Sequence, residues 1–255
     1  LLGFQAVGIK RGIAMVLRWQ GQVAGYQGDY ARSAQYLQAS IMRWEEIAFP
    51  GGAAATLTCL AELFYWQGKL AEAAECLSRV QRSLPQGEQL AALVYLVKGN
   101  LARTQQAYGP ADECLAESLR LVTMRGERWR QIAIWHAQGL LYLAQQKRSA
   151  ARMAFTQCLT AAQRIGDQMN IARGLEGLAA VALQHGETQR GGQLFGAAAA
   201  LRAAIDAPLP PIERNEYAAL WATTCASTSQ VAFDQMWAAG RLLPIEQAIA
   251  LAHVE

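Results

Sequence analysis

Three histidines and five cysteines are the side chains of this 255-residue chain best suited to act as bases, nucleophiles or metal ligands near neutral pH. The histidines are His136, His185 and His253; the cysteines are Cys59, Cys76, Cys114, Cys158 and Cys225. A metal centre would call for ligands at close spacing, such as Cys-x-x-Cys or His-Glu-x-x-His, and neither occurs. Gly-x-Ser-x-Gly and the phosphate loop Gly-x-x-x-x-Gly-Lys-Ser/Thr are also missing. Gly191 and Gly196 have the glycine spacing of that loop, but Ala197 and Ala198 follow and the stretch reads as helix, so these are expected to be packing glycines. An odd number of widely spaced cysteines is a poor disulfide framework. The thiols are expected to be reduced and packed, which points to the cytoplasm. His185, beside Gly186, is expected at a helix end, and His253 in a frayed tail. No catalytic, cofactor-binding or metal-binding residue is expected, which leaves recognition as the chemistry on offer.

Recognition needs a scaffold, and the composition favours a helical one. The chain is 53% hydrophobic and only 17% charged, with 49 Ala, 31 Leu and 25 Gln. Ala, Leu, Gln, Glu and Arg are good helix formers, and no alternating run reads as a strand. The net charge of +3 gives little reason to expect nucleic acid or an anionic membrane as partner. No run of 18 apolar residues is free of strong polars, so no membrane span is expected.

A repeat organises the helices. Equivalent turns fall at Gly28, Gly68, Gln106, Gln146 and Gly186, about 40 residues apart. Seven residues before each turn stands a small residue: Gly21, Ala61, Gly99, Gly139 and Ala179. Five after it stands another: Ser33, Ala73, Ala111, Ala151 and Gly191. Four further on come the large apolar residues Leu37, Leu77, Leu115, Phe155 and Phe195. The spacing predicts helix pairs at 9–26 with 30–47, 53–67 with 70–83, 88–105 with 110–124, 128–145 with 148–165, and 168–185 with 188–205. Pro50, Pro85 and Pro110 fall in connections or first turns, and Asp29 and Ser149 are N-terminal signals. Trp44, Trp129 and Trp221 are expected in the core.

This pattern resembles the tetratricopeptide (TPR) repeat. The resemblance implies an all-α, right-handed superhelical array of about five TPR-like hairpins with a ~40-residue period. In such an array the first helix of each pair lines the concave face. Carried onto this chain, the positions facing the groove are Arg18, Gln22 and Tyr26; Glu62, Tyr65 and Trp66; Asn100 and Arg103; His136; and Glu176. The first three pairs then supply a polar and aromatic lining, and the last two a more apolar one. Tyr65, Trp66 and Arg103 lead, because aromatic and Arg side chains dominate binding hot spots. Trp66 could equally plug a seam between helices, and Arg103 could be a solvated surface charge.

Residues 206–255 form a second region. Three prolines, Pro208, Pro210 and Pro211, stop the preceding helix and make a stiff link. Helices are expected at 212–226, with Tyr217, Leu220 and Trp221 on one side, at 231–239 and at 245–253. Gly240 reads as a C-terminal stop, and Pro244 as the first turn of the last helix. The three helices are expected to cap the open end of the 1–205 array.

The order Leu194-Phe195-Gly196-Ala197-Ala198, Leu201-Arg202, Ala207-Pro208-Leu209-Pro210-Pro211, Glu213-Arg214, Tyr217, Phe233, Trp237-Ala238-Ala239-Gly240-Arg241 and Ile245-Glu246-Gln247-Ala248-Ile249 resembles the C-terminus of bacterial signal-transduction ATPases of the STAND type. These include transcriptional regulators of the maltose-activator and LuxR type. The resemblance implies a non-catalytic sensor array that takes a protein, peptide or small-molecule effector in its groove. The ATPase and output domain would lie elsewhere, and this piece would touch neither DNA nor membrane. A constitutive TPR scaffold, a sensor array attached to a cyclase or kinase, and self-association of the end repeats stay open.

Overall fold

The computed structural model describes residues 2–83, 88–227 and 229–254, and all the regular structure among them is helical. Ten helices form five adjacent pairs: α1 (Leu2–Tyr26) with α2 (Tyr30–Glu46), α3 (Pro50–Trp66) with α4 (Leu70–Ser83), α5 (Glu88–Thr104) with α6 (Tyr108–Met124), α7 (Arg128–Ala144) with α8 (Arg148–Ile165), and α9 (Gln168–Gln184) with α10 (Thr188–Ala204). Successive pairs stack, and the first helices also touch one another in sequence: α1 on α3, α3 on α5, α5 on α7, α7 on α9. The tail adds α11 (Pro211–Ser227), α12 (Gln230–Arg241) and α13 (Ile245–His253).

The five expected turns share one backbone device. Gly28, Gly68, Gln106, Gln146 and Gly186 all have positive φ, between 59° and 80°. The chain reverses there in the left-handed conformation that ends helices. Asp29 caps α2 by accepting from the Arg32 amide, and Asp167 caps α9 by accepting from the Asn170 amide. Ser149 is not a cap: α8 starts at Arg148, and Ser149 lies inside its first turn. Pro50 opens α3, where a missing N–H costs nothing, and Pro110 lies in the first turn of α6. Pro85 lies outside the described residues.

The small and large positions meet as the repeat requires. A Cβ on Gly21 would fall 2.7 Å from Leu37, one on Gly99 2.8 Å from Leu115, and one on Gly139 2.5 Å from the Phe155 ring. In each of these pairs the first helix approaches the second closely only because it offers no side chain there. Equivalent serines repeat one hydrogen bond: Ser40 donates to the Ala14 carbonyl at 2.7 Å, and Ser118 to the Ala92 carbonyl at 2.7 Å. Cys59, Cys76 and Cys158 are buried, and burial pushes their thiols up to about 12, 11 and 12, so they stay protonated and inert. The Cys225 side chain lies outside the described residues. Trp44 is in the core and Trp221 is partly buried, but Trp129 is 62% exposed, at the rim of the inner cavity described below.

The tail departs from a simple end cap. α12 packs on α10, and α13 packs on α10 and α9. Gly240 lies inside α12, where a Cβ would strike the Gln193 carbonyl, and Gly196 meets the Trp237 carbonyl in the same way. The two glycines are crossing points between α10 and α12, not a helix stop. Pro244 is the residue before α13, not its first turn. α11 packs against both α9 and α3, helices of the fifth and second pairs. It therefore lies across the inner side of the array. Phe195 holds its far half, with ring centroids 5.2 Å from Tyr217 and 5.3 Å from Trp221. No described helix is long and apolar enough to cross a membrane.

Candidate functional site

α11 divides the side chains expected on the groove: some are buried beneath it, in a sealed half, and others line a cavity beside it, the open half. In the sealed half, Arg103 is 6% exposed and so is no solvated surface charge. Its Nη2 donates to the Tyr65 hydroxyl at 2.9 Å and pairs with Glu216 of α11 at 3.0 Å. Arg202 forks onto both Glu176 oxygens, with Nη2 to Oε2 at 2.8 Å, and Nη1 donates to the Ala207 carbonyl at 3.1 Å. A bidentate guanidinium–carboxylate pair is the geometry best able to offset the loss of water around two buried charges.

Glu213, one turn before Glu216 on α11, is 3% exposed. Burial alone would raise its carboxyl; Arg173, Arg202 and Arg103 outweigh that and hold it below the usual carboxylate range. Burial pushes the His136 imidazolium down to about 3, so this ring is neutral at pH 7. Glu213 Oε2, His136 Nε2, Tyr217 Oη and Asn100 Oδ1 are buried there without hydrogen-bond partners. Each such group costs roughly 1–3 kcal/mol.

Trp66 occupies the seam between α1 and α3. Its ring lies 5.2 Å from that of Tyr26 and beneath Gly25. The proline link completes the cover. Pro208 Cγ stands 2.7 Å from where a Cβ on Gly28 would be, and Pro208 and Pro210 close over Tyr26, Trp66 and Arg173.

The open half is a cavity of about 280 Å³. All five first helices contribute to it: Gln22 and Tyr26 from α1, Glu62 from α3, Leu93 and Leu96 from α5, Arg130, Ala133 and Ile134 from α7, Asn170 and Arg173 from α9. Of the expected groove residues, Gln22, Tyr26 and Glu62 line this cavity. Tyr65, Arg103, His136 and Glu176 are buried, most of them under α11, and Arg18 is partly buried with its Nε unpartnered. From the last two pairs the cavity also takes Arg130 and Arg173, which the expected lining did not include.

Arg173 is the residue the repeat register missed. It is 8% exposed, its Nε has no partner, and Nη1 reaches Asn170 Oδ1 only at 3.5 Å. The signal was present: Leu93, Ala133 and Arg173 stand at equivalent places, one helical turn before the expected groove positions. Glu213 and Glu216 carried no such signal, because no repeat position describes the tail. Across the cavity, burial raises the Glu62 carboxyl, with Arg173 opposing the rise. Among the described residues no group of three or more His, Cys, Asp or Glu is placed to hold a metal ion. No protein-family model and no curated protein matches this chain.

Proposed function

We propose that the chain is a TPR-like superhelical sensor array, non-catalytic itself, that binds an effector on its inner face. Its parent would be a bacterial multidomain signal-transduction ATPase, a transcriptional regulator of the maltose-activator or LuxR type. One observation carries the reading: the first helices of all five pairs converge on a single cavity whose charged side chains are not all paired. A solenoid in which each pair touches mainly its neighbours lets small changes per pair add along its length, which suits a sensor. α11 supports the reading as well. A tail helix laid across the groove couples whatever binds beside it to the C-terminal region.

One surface favours a larger assembly. Ile9, Ile13, Val16, Trp19 and Val23 form an exposed apolar stripe along α1. Terminal repeats that face water carry a polar outer side. This stripe offers a stacking face for a further helix pair or a partner, as either a sensor within a long array or a scaffold would use. The reading frame upstream of Leu1 tests the assignment. A phosphate-loop ATPase there supports the sensor, and a start codon directly before Leu1 overturns it.

A further inference from the structure

We infer that the open cavity is a binding site for a free α-amino acid with an apolar side chain, its carboxylate held by Arg173 and its ammonium by Glu62. The inference rests on the sensor reading and names the ligand class for it.

Two opposite charges face this cavity from α3 and α9. Each lies within the field of the other, yet they form no ion pair among the described residues. The other charges at the cavity are already engaged. Arg130 pairs with Glu127 at 2.9 Å, and Asp167 accepts from the Asn170 backbone and side-chain amides at 3.1 Å and 2.7 Å. Arg173, whose strongest charged neighbour is Glu213 on α11, and Glu62 are left without an ion pair among the described residues.

Arg173 has the stronger claim on a ligand. A guanidinium carries five N–H donors in a fixed fork. Among the described residues Nε is buried without a partner, and the hydrogen bond from Nη1 to Asn170 is at the outer limit of length. A carboxylate would take two of these donors side by side. Glu62 answers the other end. Desolvation raises its carboxyl, with Arg173 opposing the rise and Glu213 adding to it, so the neighbours do not fully offset the ionised form. An ammonium supplies the missing partner. A simple anion would satisfy Arg173 and be repelled by Glu62; a simple cation would do the reverse. A zwitterion answers both and leaves the cavity neutral.

The rest of the wall selects the side chain. Leu93, Leu96, Ala133 and Ile134 give the cavity an apolar part of its wall on α5 and α7. The volume of about 280 Å³ lies just below the roughly 300–1,000 Å³ usual for small-molecule sites, which suits a single amino acid better than a nucleotide or a peptide helix.

Calorimetric titration of the intact chain with L-leucine, L-phenylalanine and L-tryptophan, beside N-acetyl-L-leucine and L-leucinamide, tests this. At least one free amino acid is expected to bind, and the blocked leucines to bind about tenfold or more weakly than leucine, since each loses a charge-assisted hydrogen bond. Glu62→Gln should weaken the free amino acid and leave N-acetyl-L-leucine unchanged. Arg173 also faces Glu213, so its substitution endangers folding, and Glu62→Gln keeps the test decisive without it. Equal affinity for free and blocked forms, or an unaltered free-amino-acid affinity in Glu62→Gln, overturns the inference. If every amino acid fails but another class of compound binds and is lost in the cavity-filling variant Ala133→Trp, the ligand class falls and the sensor reading stands. If no compound in a metabolite and peptide library binds, both fall.

Discussion

The same helix faces line both halves of the inner surface, but the two halves treat their charges differently. Where α11 lies against the array, Arg103 meets Tyr65 and Glu216, and Arg202 meets Glu176. Where α11 does not reach, Glu62 and Arg173 face a cavity without meeting. The sealed half uses Arg103 to hold α11 and Arg202 to tie α10 to α9. The open half keeps Glu62 and Arg173 without an ion pair among the described residues. Arg173 belongs to both, with Glu213 on one side and the cavity on the other.

The largest expected effect falls in the sealed half. Arg202→Met leaves Glu176 buried without its partner and should cost about 3–5 kcal/mol in urea unfolding. Adding Glu176→Leu should recover most of that loss. A single-variant loss below about 1 kcal/mol would mean that the pair behaves as a surface bridge and that the half is not sealed.

Next is a pH effect at His136. Its folded value, about 3, lies below the roughly 6.5 of an unfolded histidine. Between the two, the unfolded chain binds more protons, so stability falls as pH drops through this window. The slope reaches up to about 1.4 kcal/mol per pH unit. His136→Gln should flatten that part of the stability–pH curve; an unchanged slope would place the ring in contact with water.

Two neutralised carboxylates give the smaller and most direct contrast. Glu213 has a lowered folded pKa, so its charge stabilises the fold above the unfolded value of about 4.3, and this contribution is lost as pH falls through the folded value. Glu213→Gln should therefore cost about 1–3 kcal/mol at pH 7. Glu62 has a raised folded pKa, so its charge opposes folding at pH 7, and that opposition is relieved as pH falls toward the folded value. Glu62→Gln should be neutral or stabilising at pH 7, with the difference from wild type shrinking as the solution is acidified toward pH 5. If both variants destabilise alike in parallel denaturant titrations, the two halves are equivalent and the cavity loses its distinctive charge.

The helix pairs were legible because their causes are local. A small residue opposite Leu37, Leu115 or Phe155 recurs at constant spacing, and the turns at Gly28, Gly68, Gln106, Gln146 and Gly186 share one backbone conformation. Of the expected groove residues Gln22, Tyr26 and Glu62 line the cavity, while the register stopped at Glu176 and missed Arg173 one turn earlier. The neighbours of Arg103 and Trp66 could not be read. One is covered by α11 and the other by α1.

By itself, then, the sequence determined five helix pairs and their turns and implied an inward face, because helix periodicity and nearest-neighbour packing act over a few tens of residues. Only the tertiary structure decided which part of that face stays open. That choice depends on α11 reaching back to α3 and on residue 216 finding residue 103. Such pairings join segments far apart in the chain, and their energy comes from burying charges together, a quantity that no spacing along one chain encodes.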